Sequence, residues 1–138
     1  ITSARFPRAY TGHDEIALAQ RELMDKGPSI VVTTLEERGC VCLTAELCVH
    51  APGFVVDVVD TTGAGDAFHG AFIYGLLQGW GLERTAGFAN AVAALNCTAL
   101  GGRSALPRLP EVEAFLESRN LSRVLSDTIS RTTEAPST

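Results

Sequence analysis

The chain has 138 residues, 46% of them hydrophobic, and a formal charge of −5. That length and composition fit one domain with a sizeable core, and the acidic balance argues against nucleic acid as the default partner. The longest apolar-rich stretch, Ala67 to Leu77, is interrupted by His69 and too short to span a bilayer, and no signal peptide opens the chain, so the expectation is a cytoplasmic protein without a membrane partner.

In chain order, Ala4 to Tyr10 reads as a short helix closed by Gly12. Asp14 to Asp25 reads as an amphipathic helix, with Ile16, Ala19, Leu23 and Met24 as its inner stripe and Gly27-Pro28 as its stop. The β-branched run Ile30 to Thr34 is an expected buried strand, and Glu36-Glu37-Arg38-Gly39 a polar turn. Val41 to Leu43 and Leu47 to His50 read as a hairpin turning near Ala45-Glu46. Phe54 to Val59 reads as another strand, which delivers the chain into a loop at Asp60. A helix then runs from Asp66 to about Gln78. It is apolar nearly all round and therefore expected to be buried, with Gly70 and Gly75 allowing close approach of a neighbour. A second long helix spans Leu82 to Ala99, stopped by Gly101-Gly102, and a last one spans Pro110 to Ser118. From Ser122 the chain is Ser/Thr-rich with little apolar periodicity and reads as a disordered tail.

This order is consistent with half of an α/β layered fold. Ligands in open α/β sheets lie beyond the carboxyl ends of strands, where the Asp60–Asp66 loop is expected. The four cysteines, Cys40, Cys42, Cys48 and Cys97, form no Cys-x-x-Cys pair and have no zinc spacing, so they read as buried free thiols in a reducing cytosol.

The run Asp60-Thr61-Thr62-Gly63-Ala64-Gly65-Asp66-Ala67-Phe68-His69-Gly70-Ala71-Phe72 carries the chemistry. Small residues open a helix whose first N–H groups have no intrahelical partner, at the positive end of its dipole. Gly63, Ala64 and Gly65 let backbone approach a ligand, which suits an oxyanion or phosphate, and Asp66 beside them can accept a proton. A bare Gly-Ala-Gly-Asp would also fit an Asp cap after a glycine turn. A dinucleotide fingerprint fails at Phe68, where a third small residue belongs. A Walker A loop fails because the only lysine, Lys26, lies far from any such run.

The thirteen-residue run closely resembles the C-terminal signature of the ribokinase, or PfkB, family of carbohydrate kinases, Asp-Thr-x-Gly-Ala-Gly-Asp-x-Phe-x-Gly-Ala, with every fixed position present. The resemblance implies a ribokinase-like layered α/β fold, of which this chain supplies the C-terminal portion. Residues 1–121 would form its nucleotide-binding and catalytic part and 122–138 the tail. It implies ATP-dependent phosphorylation of a sugar or nucleoside hydroxymethyl group, with Asp66 as general base and the Gly63–Asp66 backbone as anion hole. ATP and Mg²⁺ are the implied cofactors, with a monovalent cation such as K⁺ in many relatives, and a homodimer is an assembly of the complete protein compatible with it.

Other positions are assigned by the same resemblance. Thr34-Leu35-Glu36-Glu37-Arg38-Gly39 is similar to a Thr-Leu-Gly-x-x-Gly turn that lines the nucleotide site. Thr34 and Gly39 match, while Glu36 replaces the first glycine. Glu36 either faces the phosphates or is a solvated turn residue. Asn90, in Phe88-Ala89-Asn90-Ala91, falls near the adenine by resemblance, and its alternative reading is a buried Asn satisfied by backbone. Asp60 and Thr62, with the loop Gly101 to Ala105, resemble the elements that hold the monovalent cation; the alternative for Asp60 is an Asx-type turn. Arg103 is the nearest positive side chain for a phosphate in that loop, and its favoured alternative is a solvated surface Arg. Ser3 and Phe6 replace the Asn and Glu of a motif linked to magnesium, so no magnesium ligand is assigned. That departure, with Glu36 and the absent sugar-binding half, leaves a second reading open: a degenerate nucleotide-binding fragment without turnover.

Overall fold

A computed structural model describes residues 1–119 of the chain; the expected tail, 122–138, lies outside the described residues. The elements are β1 (Thr2–Ser3), α1 (Arg5–Thr11), α2 (Ile16–Met24), β2 (Val31–Thr34), β3 (Cys40–Leu43), β4 (Cys48–Ala51), α3 (Ala64–Leu77), α4 (Leu82–Asn96) and α5 (Leu109–Ser118), with a 3₁₀ turn at Glu36–Arg38. The sheet runs in the order β1-β2-β3-β4. β1 is parallel to β2, while β2–β3 and β3–β4 are antiparallel.

Alternation along the strands builds three layers. Val32, Cys40 and Cys42 join the core with Phe68, Phe72, Ala89, Val92 and Leu116 of α3, α4 and α5. Thr33, one residue on from Val32, meets α2 on the other face, where Gln20 Nε2 donates to Thr33 Oγ1 at 2.9 Å and to the Val41 carbonyl at 2.9 Å. This bond corrects the expected stripe of α2. Ala19 and Gln20 are its buried residues, whereas Ile16, Leu23 and Met24 are half-buried. A polar residue takes the inner position because it finds two partners there.

Three further expectations are corrected. Phe54 to Val59 forms no strand, since β4 ends at Ala51, Pro52-Gly53 interrupts the chain, and Val55, Val58 and Val59 are exposed, Val55 at 86%. A β-rich sequence pairs only where a neighbouring strand offers its backbone. α3 buries one face only, through Ala67, Phe68, Ala71, Phe72 and Gly75. Ile73, Tyr74, Leu76 and Leu77 are exposed, Leu77 at 80%. Of its two glycines, Gly75 meets a neighbour: a Cβ there would lie 2.8 Å from Thr85 Cγ2, while at Gly70 it would meet nothing within 4 Å. Finally, Cys48 is exposed; Cys40, Cys42 and Cys97 are the buried thiols, and all four are free.

The turn after β2 explains two residues of its motif. Glu36 has φ 57°, the left-handed region that favours glycine. Gly39 has φ 91°, and a Cβ there would overlap the Ala51 carbonyl oxygen and lie 2.5 Å from Gly53 N. Glu36→Gly is therefore expected to raise stability by up to about 1 kcal/mol, as relief of the left-handed cost outweighs the entropy of glycine. Gly39→Ala should lower stability by about 1–3 kcal/mol through overpacking. Urea midpoints of the two variants against wild type check the opposite signs.

Candidate active site

The loop entering α3 is tied down from three sides. The Val59 and Asp60 N–H groups donate to the Cys97 carbonyl at 2.8 and 3.2 Å. Asp60 Oδ1 accepts from the Thr62 N–H at 2.9 Å and from Thr62 Oγ1 at 2.7 Å, and Oδ2 accepts from the Gly101 N–H at 2.8 Å. These donors, Thr62 first and Gly101 after it, hold the Asp60 carboxyl below the usual carboxylate range. Asn96 Nδ2 donates to the Thr62 carbonyl at 3.1 Å. Gly63 has φ 78°, and a Cβ on it would lie 2.8 Å from Gly102 Cα, so the two loops touch backbone to backbone. Beside them, burial and then the Asp60 charge push the Cys97 thiol up.

α3 begins at Ala64 with Gly63 as its N-cap, and Asp66 is its third residue. The Ala64 N–H turns back onto the Thr61 carbonyl at 3.2 Å, and the Ala67 N–H is bonded to the Gly63 carbonyl at 2.9 Å. The amides of Gly63, Gly65 and Asp66 surround this first turn. Gly65 needs no left-handed backbone, and a Cβ on it would meet nothing within 4 Å, so the fold does not demand glycine there. His69 Nδ1 donates to the Gly65 carbonyl at 2.7 Å, which fixes its tautomer and leaves the ring on the exposed side of α3.

The helix start opens on a cleft of about 780 Å³ between α3, α4, α5 and the loop that follows α4. Thr62, Gly63, Asp66, Gly102 and Arg103 give it a polar side; Tyr74, Phe88, Val92, Leu106 and Val112 give it an apolar one. Asp66 and Arg103 are both exposed. Trp80 stays outside the chemistry, packed edge-on against Tyr74 and Phe88 with centroids 5.5 and 5.1 Å away, and Arg84 stacks over it at 4.0 Å.

The remaining sequence candidates form a second group. Thr34 ends β2, and its Oγ1 donates to the Thr2 carbonyl at 3.4 Å. Glu36 is exposed, and Gly39 packs under Ala51 and Gly53. Asn90 is buried, and its Nδ2 donates to the Ala51 and Pro52 carbonyls at 2.9 and 3.1 Å. None of these four lines the cleft at Asp66. Both groups nevertheless hang on α4, at Asn90 and Asn96, six residues or about 9 Å apart along the helix axis. The sequence around Asn96, Ala94-Leu95-Asn96-Cys97, does not reveal which backbone carbonyl its amide meets. The Cys97 carbonyl carries no side-chain signal at all.

Among the described residues no cluster of three or more His, Cys, Asp or Glu is placed to hold a metal. Asp60 already accepts three hydrogen bonds, leaving about one of its four lone-pair directions for a cation. No helix of the described residues is long and apolar enough to cross a membrane.

A model of the pfkB family of carbohydrate kinases matches residues 6–109. A deoxyribokinase from Salmonella typhi is 36% identical over 104 residues, covering 75% of this chain and 34% of that protein. Two solved structures share the fold. A putative ribokinase II from E. coli, in complex with ATP and Mg²⁺, has a TM-score of 0.79 at 29% identity and covers 84% of this chain and 38% of that one. A fructokinase double mutant from Vibrio cholerae, with fructose, ADP and potassium bound, has a TM-score of 0.73 at 33% identity and covers 83% of this chain and 39% of that one. The chain thus spans about a third of the length of the curated relatives it matches.

The clasp around Asp60 has a pH signature. Because its folded pKa is depressed, its stabilisation is present above the unfolded value of about 3.9 and is lost as pH falls through the folded value. The stability difference between wild type and Asp60→Ala should be full at pH 6 and shrink below about pH 4. Denaturant titrations at several pH values check this; a pH-independent difference would show that charge is not what holds the clasp.

Proposed function

The chain belongs to the pfkB family of carbohydrate kinases and has a ribokinase-like α/β fold, and from that premise we propose that it is the catalytic, C-terminal part of a kinase transferring the γ-phosphoryl group of ATP to the hydroxymethyl group of a sugar or nucleoside. The observation that carries this reading is the start of α3. Gly63 and Asp66 bring backbone amides and a carboxylate together at the polar side of an open cleft, with Gly65 exposed between them.

In this mechanism Asp66 accepts the proton of the acceptor hydroxyl as its oxygen bonds to the γ-phosphorus. The bond to the bridging oxygen breaks, and ADP leaves. Amides at the positive end of α3 stabilise charge on the transferred group, the interaction that grows in the transition state. Ala64 contributes its small size, its own amide being closed onto Thr61. Magnesium, held by nucleotide phosphates, supplies neutralisation of their charge. A monovalent cation would take the remaining lone pairs of Asp60 and the Thr62 carbonyl, with potassium in the related fructokinase structure as support. The turn of Thr34, Glu36 and Gly39, with Asn90 behind it, forms the distal wall for the nucleotide. There Asn90 acts by holding Ala51 and Pro52 in place.

Acceptor contacts are assigned to sequence preceding this chain. The exposed apolar residues Val55, Val58, Ile73 and Leu77 support such a neighbour. A degenerate fragment without turnover is the second reading, favoured by Glu36 at a left-handed position suited to glycine.

In the protein with its native N-terminal extent, Asp66→Asn is expected to lower phosphoryl transfer by about 10²–10⁴, the worth of a general base, with ATP affinity within a few-fold. Near-normal turnover would sink the assignment. Gly65→Val should impair nucleotide use by crowding the approach to the amides, while the clear space at Gly65 predicts a small change in melting temperature; unchanged ATP affinity and transfer in a folded Gly65→Val would refute the cradle. The 138-residue chain alone should bind ATP weakly and not phosphorylate sugars, because the proximity contribution, about 7–11 kcal/mol, needs a held acceptor. A coupled assay over ketoses, aldoses and nucleosides tests this, and turnover of about 1–100 s⁻¹ would overturn it.

A further inference from the structure

We infer that Asn96 is a positioning residue for phosphoryl transfer, aiming the Gly63 N–H into the anion site by holding the other end of its peptide group. The inference rests on the proposed kinase reading and adds a residue to it.

Asn96 is fully buried at the last turn of α4, 34 residues away in sequence from the carbonyl it holds. Its Nδ2 donates to the Thr62 carbonyl at 3.1 Å. The peptide joining Thr62 to Gly63 is trans, as are all those described. In a trans peptide the C=O and the following N–H point in opposite directions within one plane. Anchoring the Thr62 carbonyl on the buried Asn96 therefore turns the Gly63 N–H away from α4. The neighbouring peptides have different fates. The Thr62 N–H is taken by Asp60 Oδ1, and the Ala64 N–H by the Thr61 carbonyl. The Gly63 amide is thus the one in this turn whose peptide carbonyl is held by Asn96.

Packing alone does not account for an asparagine here. Its Oδ1 is buried with no hydrogen-bond partner among the described residues. An unpaired buried acceptor is unfavourable, and an apolar residue of similar volume would avoid it. What the amide supplies is one donor, placed on the carbonyl that leads into the helix cap.

The test compares Asn96→Leu, of similar volume with neither donor nor acceptor, and Asn96→Ala with wild type and Asp66→Asn, in the protein with its native N-terminal extent. Loss of one transition-state donor should lower kcat by about 10²–10³. The KM for ATP should stay within about three-fold, as for an interaction made only in the transition state. Mg-ADP with aluminium fluoride should bind correspondingly more weakly, while Mg-ADP alone binds as in wild type. A purely structural role would instead move kcat, ADP affinity and melting temperature together. That outcome, or a kcat within about three-fold of wild type, overturns the inference. Normal turnover of Asp66→Asn would overturn the underlying kinase reading. An inactive Asp66→Asn beside fully active Asn96 variants would overturn only the role of Asn96. Should both Asn96 variants fail to fold, wild-type hydrogen exchange decides. The Gly63 amide should exchange rapidly in the free protein and become protected with Mg-ADP and aluminium fluoride; protection before ligand is added, or none after, overturns the inference.

Discussion

The site depends on one helix holding two loops by their backbone carbonyls. α4 reaches the Ala51-Pro52 corner through Asn90 and the Thr62 carbonyl through Asn96, while the carbonyl of Cys97, which caps its C-terminus, receives the Val59 and Asp60 amides. A buried side-chain amide donating to an otherwise unmatched carbonyl is worth most where water is excluded. Both asparagines are buried in a helix packed on α3 and on the sheet. The spacing between the two loops is therefore set by the rise of α4, which holds both at fixed points along its axis.

The second constraint is backbone contact between Gly63 and Gly102. With Asp60 bridging Thr62 and Gly101, the loop before α3 and the loop after α4 become one unit. Glycine has different meanings within a few residues. Gly63 is required by its φ of 78° and by Gly102, whereas Gly65 is sterically free on the protein side. A glycine that the fold does not need, next to a helix N-terminus, is what close approach of a ligand requires.

Much of this was legible in the sequence. The Asp60–Phe72 run specified the turn, the helix and the position of Asp66, because glycine, cap and helix chemistry are local. The family and the fold class also followed from it. Features that depend on distant partners were not legible. Phe54 to Val59 has strand chemistry but no strand beside it among the described residues, and Val55 and Val58 are exposed. The all-round apolarity of α3 predicted burial, yet Leu77 and Ile73 are exposed. Apolarity records what an element tolerates, and burial depends on what surrounds it. Gln20 shows the converse, a polar residue drawn inward by Thr33 and the Val41 carbonyl. For Asn90 and Asn96 the sequence indicated that amides were available but not which carbonyls they would meet.

The anion site is tested most directly by a crystal structure of the protein with its native N-terminal extent, bound to Mg-ADP, aluminium fluoride and an acceptor sugar. Fluorides are expected about 2.7–3.1 Å from the amides of Gly63, Gly65 and Asp66, the spacing of an anion hole. The Asp66 carboxylate should lie within about 2.6–3.2 Å of the acceptor oxygen, the reach of a general base. A metal fluoride bound away from the start of α3, or an acceptor oxygen beyond hydrogen-bond reach of Asp66, would contradict this mechanism.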